Sequence, residues 1–358
     1  MPPLVSVIIP CFNAEKWISE AIDSCLQQTY SNVEIIVVDD GSTDNSLEII
    51  KSYGNKIIWR SVNHRGGNHA RNKAFALSKG KYIQYLDADD YILPEKIERQ
   101  VCFMEETGAD VVYGDWRYQH HLPDGTSYLD NIEFPGAQAD ILESLLANWW
   151  TAVASLLYRR TSVEKTSGWD ENFQAAQDRD FFLSVVLKGA KVLYQPGCYS
   201  IYRRYGDVTV SSSSKPRWIA SHQAVLVKAE QKLKQLNLMS VKYRCALAKS
   251  YFQLAREALS IDNYSQYLSL LEEALIVFPD FKRDNGRRVY YLIQSLCGFR
   301  RTESIVCRLL LAKKTVDSFI QQIQTIYEQR FALQTSTQGS LEAYTTNNVR
   351  SRVEDCCR

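Results

Sequence analysis

Residues 81–90 read Lys-Tyr-Ile-Gln-Tyr-Leu-Asp-Ala-Asp-Asp. An apolar strand runs directly into Asp87, Asp89 and Asp90. Clustered carboxylates are costly to place at a strand end unless something positive meets them. A divalent cation is one answer, because Mg²⁺ typically takes one or two carboxylates together with substrate phosphates. Asp87 and Asp89 are two residues apart, so on a strand both point to one side. A solvated acidic turn before the helix that starts near Pro94 is the other answer, and the ten residues alone do not choose between them.

Working outward, the first half alternates strands and helices. Val5–Ile9 is an apolar run closed by Pro10, and Glu15–Gln28 carries a helical stripe of Trp17, Ile18, Ala21, Ile22, Cys25 and Leu26. Glu34–Val38 reads as a strand, Asp44–Tyr53 as a helix, Ile57–Val62 as a strand and Asn68–Ser78 as a helix with Gly80 beyond it. Tyr82–Leu86 is then the fourth strand. Continuous apolar strands separated by helices predict a mostly parallel sheet covered on both faces. Such sheets bind ligands at the carboxyl ends of their strands. A second acidic end, Asp39-Asp40-Gly41-Ser42, falls at that edge, where an Asp can accept hydrogen bonds from a ribose or a base N–H. Gly41 permits a tight turn. Neither Gly-x-Gly-x-x-Gly nor Gly-x-x-x-x-Gly-Lys-Ser/Thr is present, which removes most support for dinucleotide and P-loop readings.

From about residue 110 the pattern becomes mixed. Val111–Tyr113 and Ala154–Tyr158 read as strands, Ile141–Leu146 as a helix, and 115–135 as a loop or hairpin. Gln177-Asp178-Arg179-Asp180 opens a helix to Lys188, where an Asp also suits the helix dipole and free N–H groups. Residues 199–214 carry Arg203 and Arg204, which could neutralise a diphosphate, and then a Ser-rich run able to order over a ligand. Beyond 215 all periodicity is helical. Leu247, Tyr251, Leu254, Ala258 and Tyr267, Leu271, Ala274, Phe278 suggest a helical hairpin without a second copy. The expected domains are 1–214, a helical region 215–332 and a flexible tail 333–358.

The 358 residues carry a net charge of +1, but unevenly. Residues 216–358 hold 21 Lys and Arg against 13 Asp and Glu, and the first 215 hold 21 against 28. An acidic half suits a metal; a basic half suits an anionic surface such as a membrane, with Lys282, Arg283, Arg287, Arg288, Arg300 and Arg301 as its focus. No nucleic-acid partner is expected. The nine cysteines lack metal spacing and are expected to be reduced. No apolar run reaches the ~18 residues of a membrane span and no signal peptide is evident, so a cytoplasmic location, peripheral at the inner face of a membrane, is expected.

Five ordered segments then resemble one family. They are Val5-Ser6-Val7-Ile8-Ile9-Pro10-Cys11-Phe12-Asn13, Val37–Asp44, Asn63–Asn72 with Leu86–Asp90, and Trp169–Phe182. Together they resemble the family 2 glycosyltransferases over about residues 4–210. The resemblance implies a GT-A fold, a nucleotide-diphosphate sugar donor (a UDP-sugar first), and Mn²⁺ or Mg²⁺. It implies that Pro10, Phe12, Asp39, Asp40 and Arg71 hold base and ribose, and that Asp89 holds the metal with Asp87 toward ribose and metal. It further implies that Asp178 is the catalytic base of an inverting displacement onto an acceptor hydroxyl. Trp169 becomes one candidate for a wall against a sugar face. The sequence departs from the family pattern at Gln177, where many members have Glu, and at Tyr205, where many have His. The Gln-x-x-Arg-Trp motif of processive synthases is absent, so transfer of one sugar is expected, in cell-surface polysaccharide or glycolipid assembly. A sugar-phosphate nucleotidyltransferase would need a basic Gly-rich loop where Cys11-Phe12-Asn13-Ala14 stands. A module that binds nucleotide sugar without turnover would not need Asp178.

Overall fold

The computed structural model describes residues 2–206, 214–281, 298–299, 301–303, 305–306 and 308–309. Strands are β1 Val5–Cys11, β2 Val33–Asp39, β3 Ile58–Ser61, β4 Tyr82–Tyr85, β5 Tyr91–Ile92, β6 Val111–His121, β7 Ser127–Glu133, β8 Leu156–Arg159 and β9 Val192–Tyr205. Helices are α1 Ile18–Leu26, α2 Ser46–Ser52, α3 Gly67–Leu77, α4 Lys96–Thr107, α5 Ile141–Leu146, α6 Arg160–Glu164, α7 Gln177–Leu187, α8 Lys215–Gln235, α9 Val241–Ser260 and α10 Tyr264–Val277. The expected α/β sheet with flanking helices and a helical C-terminal part is present.

All nine described strands form one sheet in the order β3-β2-β1-β4-β8-β6-β9-β5, with β7 hairpinned onto β6. The first four strands are parallel. Parallel character is confined to this half and to the β6–β9 pair, because β8 enters antiparallel between β4 and β6. The change of pattern near residue 110 marks that junction. The first three strands spread one way from β1, and β4 returns to its other side. The crevice at the carboxyl ends of β1 and β4 is therefore the topological switch point, the usual ligand site of such sheets.

The strands bury both faces, as continuous apolar runs require. Val5, Val7, Ile9 and Cys11 of β1 pack with Ile18, Ala21, Ile22 and Cys25 of α1 and with Ile97, Val101 and Met104 of α4. Ile8, Ile36 and Val38, of opposite parity and equally buried, lie outside that cluster, and α3 packs on β1 and β2. Helices α8–α10 belong to the same compact unit as the sheet, Met1–Phe281; Lys282–Arg358 is a second unit. The helical pair expected from the 247–278 spacing is α9 and α10, turned through Asp262 at φ 59°. Cys11, Cys25, Cys102, Cys198 and Cys245 are free thiols. Among the described residues no helix is long and apolar enough to cross a membrane. The basic cluster of the C-terminal part lies outside the described residues except for Arg301, as does 207–213 of the expected lid.

One core residue breaks the apolar rule. Lys96 is fully buried at the start of α4, and its Nζ donates to Leu156 O at 3.3 Å. Burial holds its amine well below the ordinary lysine range. In the unfolded chain the same amine binds its proton up to about pH 10.4. Between the depressed folded value and that pH the unfolded state holds more protons, so stability of the natural protein should rise with pH. Lys96→Met should therefore stabilise by about 1–3 kcal/mol at pH 7 and by less at pH 10. Urea unfolding at the two pH values checks this, and a lower midpoint for the variant at pH 7 would refute it.

Candidate active site

The acidic segment leaves β4 as a tight turn, with Asp90 N donating to Asp87 O at 3.1 Å. Immediately after it β5 pairs with β9, at Tyr91↔Ile201 and Ile92↔Ser200. That pairing carries Arg203, Arg204 and Tyr205 back over the turn. Asp87 accepts from Arg71 Nη2 at 2.5 Å, a buried guanidinium that also lies 4.5 Å from the Trp169 ring centroid. Asp89 accepts from the Tyr205 hydroxyl at 2.9 Å. Asp90 is buried; one oxygen accepts from Arg203 N at 2.8 Å and the other has no protein partner. Burial, then the neighbouring Asp87, raises the pKa of Asp89. Burial, then Asp89 and Asp87, raises that of Asp90 further.

Arg203 is deeply enclosed. Its guanidinium donates to Asp89 O at 2.6 Å, to Glu20 Oε2 at 2.6 Å and to His121 Nε2 at 3.1 Å, and stacks 4.4 Å from the Trp17 ring. Its side chain is 0% exposed, so it braces the acidic turn from behind rather than facing the cleft. Arg203→Ala should cost about 1–3 kcal/mol, because it strips the Asp89 carbonyl of its donor while Glu20 stays half exposed to water, as read by denaturant unfolding; a change below about 0.5 kcal/mol would show the bracing to be idle. Arg204 is partly buried and stacks on Tyr118 at 4.8 Å and Tyr202 at 5.3 Å.

The other strand ends have been organised for turns. Asp39 is fully buried and accepts from Ser42 N at 3.3 Å and from the Ser61 hydroxyl at 2.8 Å. Asp40, also buried, accepts from Arg65 N at 3.0 Å and Gly66 N at 2.7 Å and pairs with His64 at 2.9 Å. Gly41 between them and the following helix has φ 75°, and a Cβ there would sit 3.0 Å from His64 N; the turn requires glycine. At the end of β1, Cys11 O accepts from Asp40 N at 2.8 Å just past Pro10, and Phe12 is half exposed, stacked on His64 at 4.1 Å. Phe12, Asp40 and the Arg71–Asp87 pair thus surround the β1–β4 crevice. Asp39 points into the β2–β3 junction instead.

Asp178 stands in the first turn of α7, behind Ala176, which takes the left-handed φ of 57°. Its Oδ2 accepts from Trp150 Nε1 at 2.8 Å and its Oδ1 from Arg179 N at 2.9 Å. Arg179 is buried and donates to Leu145 O, Leu146 O, Asn148 Oδ1 and Ser250 Oγ, tying α7 to the end of α5 and to α9. The neighbouring Asp180 is held by Lys228 of α8 at 2.8 Å, which also bonds Asp170. Of the two acidic residues that open α7, Asp180 is spent on structure and Asp178 keeps an open side. Trp169 is a core residue, 3% exposed and stacked on Phe181 at 4.4 Å; it offers no face to a sugar. Sequence reasoning missed His64, Glu20 and Trp150. Their contacts span from 24 to 183 residues, and no local pattern reports them.

Around the acidic turn, four carboxylates (Glu20, Asp87, Asp89, Asp90) meet the guanidinium groups of Arg71, Arg203 and, through its field on Asp90, Arg204. The excess of carboxylate, with an unpartnered oxygen on Asp90, suits a cation. Among the described residues no group of three or more His, Cys, Asp or Glu side chains is placed to hold a metal ion by itself. A cation here would need further oxygens from a substrate, as Mg²⁺ usually does.

Residues 6–207 match the family model of Glycosyl transferase family 2. The chain belongs to that family and is a glycosyltransferase. A glycosyltransferase of Haemophilus influenzae is 38% identical over 217 residues, 59% of this chain and 83% of that protein. Glycosyltransferase GlyG of Streptococcus pneumoniae is 39% identical over 132 residues, 36% of this chain and 44% of its own. Chondroitin synthase of Pasteurella multocida is 32% identical over 207 residues, 55% of this chain and 20% of that one. Among solved structures, S. aureus TarS 1–349 in complex with UDP-GlcNAc superimposes with a TM-score of 0.54 at 18% identity, over 80% of this chain and 95% of that one. The shared fold is the GT-A type.

Proposed function

We propose that the chain is an inverting, metal-dependent glycosyltransferase that moves one sugar from a UDP-sugar to an acceptor hydroxyl. The observation that carries the reading is the acidic turn itself: Asp89 is mostly buried beside Asp87 and Asp90, with charge left over for a cation. Asp89, helped by Asp87, would hold Mn²⁺ or Mg²⁺, and Asp90 is buried next to them with one oxygen unpartnered. Such a cation, when bound, supplies positive charge against that developing on the nucleoside diphosphate as it leaves.

The protein's own residues do the remainder. Phe12, on its His64 support, offers a half-exposed ring to the base, while the buried Asp40 holds the 64–66 loop beside it and does not meet the base itself. Arg71 fixes Asp87 in place. Asp178 takes the proton of the acceptor hydroxyl as that oxygen attacks the anomeric carbon. A single displacement of this kind inverts the configuration. Tyr205 donates to Asp89 where many family members have His, and its hydroxyl would move aside or turn when a cation takes that oxygen. The acceptor and its location, including a membrane-associated one reached through the basic C-terminal part, are open to the same reading; a polymer or glycolipid hydroxyl fits it.

A panel of nucleotide sugars with and without Mn²⁺ tests the reading through thermal stabilisation, which follows RT ln(1 + [L]/Kd). UDP-sugars should raise the melting temperature with Mn²⁺ and far less with a chelator. Stabilisation by no nucleotide diphosphate under any metal condition would overturn it.

A further inference from the structure

The Asp178 carboxylate is held by an aromatic side chain that does a second thing. Trp150 donates its indole N–H to Asp178 Oδ2 at 2.8 Å while its residue stays 38% exposed. Its ring stands edge-on against Trp116 at 5.0 Å and Tyr202 at 6.0 Å. Trp116 is buried and Tyr202 mostly so, and Tyr202 feels the charges of Asp90, Asp87 and Asp89. Trp150 therefore lies between the proposed base and the acidic turn, backed by fixed aromatic rings. The loop that carries it is equally fixed: Trp149 N donates to Ser144 O at 2.8 Å, and Arg179 clamps Leu145, Leu146 and Asn148 just before it. The same Arg179 gives its backbone N–H to Asp178 Oδ1. One residue, Arg179, thus sets the tryptophan's loop through its guanidinium and the carboxylate through its backbone N–H.

An exposed, rigid indole at a polar site costs little entropy to use and presents a flat apolar face. A pyranose offers the complement: one face of C–H groups and a rim of hydroxyls. In an in-line displacement the base stands on the opposite side of the anomeric carbon from the leaving group. A ring bonded to the base is therefore on the acceptor side. Trp169, the aromatic that the sequence suggested, is buried and cannot serve.

We propose that the acceptor is a saccharide, that its terminal ring stacks on Trp150, and that the indole N–H positions Asp178 toward the attacking hydroxyl. This rests on the transferase reading above and names the acceptor class for it. Trp150 is a binding residue for the acceptor and a positioning residue for Asp178.

The test uses the full chain labelled with ¹⁵N-indole tryptophan, with Trp150→Phe to assign the resonance. Methyl glycosides of hexoses and N-acetylhexosamines are titrated in the presence of UDP and diamagnetic Mg²⁺. At least one glycoside should shift the Trp150 indole signal more than UDP and Mg²⁺ alone do. With that glycoside as acceptor, Trp150→Ala should raise its KM at least about tenfold. Trp150→Phe keeps the ring and loses the N–H, so it should lower kcat about tenfold with little change in KM. The proposal is overturned if the glycosides leave the signal unmoved, if UDP alone moves it as far, or if Trp150→Ala leaves the acceptor KM within about twofold. The titration on the natural protein decides the matter even if the alanine variant fails to fold. Absence of any UDP and Mn²⁺ effect on the protein would instead sink the transferase reading, and this inference with it.

Discussion

Asp178→Asn should reduce sugar transfer by about 10²–10⁴, the contribution of a well-placed general base, while binding of UDP with Mn²⁺ stays close to that of the natural protein. Asparagine keeps the shape of the side chain, and its carbonyl oxygen can still accept from Trp150 Nε1, which lies 2.8 Å from Asp178 Oδ2. The first turn of α7 is held independently by Arg179 and by the Lys228–Asp180 pair. The substitution therefore removes proton acceptance without removing the frame. Transfer rates from single-turnover kinetics, beside UDP affinity from calorimetry, separate the two effects. Unchanged transfer would mean that another group takes the proton.

Asp89→Asn should cost at least about hundredfold in transfer, since charge stabilisation by a bound cation is worth several kcal/mol, and should abolish the Mn²⁺ dependence of UDP binding. The same substitution should make the metal-free protein more stable. Burial and the adjacent Asp87 push the Asp89 pKa up, so the folded state holds its proton more tightly than the unfolded chain does. Stability of the natural protein is then greatest at low pH with respect to this group, and falls as pH rises from about 4 through the raised folded value. Asparagine escapes that loss. Its advantage in melting temperature should be larger at pH 8 than at pH 4, measured with a chelator present. A gain in stability with a loss of activity is what a carboxylate retained for function should show. A variant that is both less active and less stable at pH 8 would mean that Asp89 is chiefly structural.

Much of this site is legible in the sequence because short-range pattern creates it. Continuous apolar runs at Val5–Ile9, Glu34–Val38 and Tyr82–Leu86 specify buried parallel strands, and an acidic group at a strand end can be recognised without any contact map. The order of the segments led to Asp178. What escaped was settled by distant pairings. Arg203 reads as a free cation in a basic stretch, yet the β5–β9 register turns it inward against Glu20 and Asp89, 183 and 114 residues away. Asp39 and Asp40 look alike in sequence, but strand alternation sends one into the β2–β3 junction and leaves the other over the loop 64–66. Trp169 is the sugar-facing ring that the sequence offers, and Trp150 goes unnoticed there. The first is stacked between Arg71 and Phe181, and only the fold shows that the second stays open beside Asp178. The mixed half of the sheet was visible only as a loss of pattern, because β8 joins antiparallel through pairings with β4 and β6 that no local signal encodes.

The proposed reaction is a single displacement at the anomeric carbon, with Asp178 on one side and the diphosphate at the β4 turn on the other. Its signature is the anomeric configuration of the transferred sugar, read by proton NMR of the product formed from an α-linked UDP-sugar. The product should be β-linked from the first turnover. An α-linked product would contradict it, because retention requires either two displacements or a same-face route that gives Asp178 no proton to take as proposed.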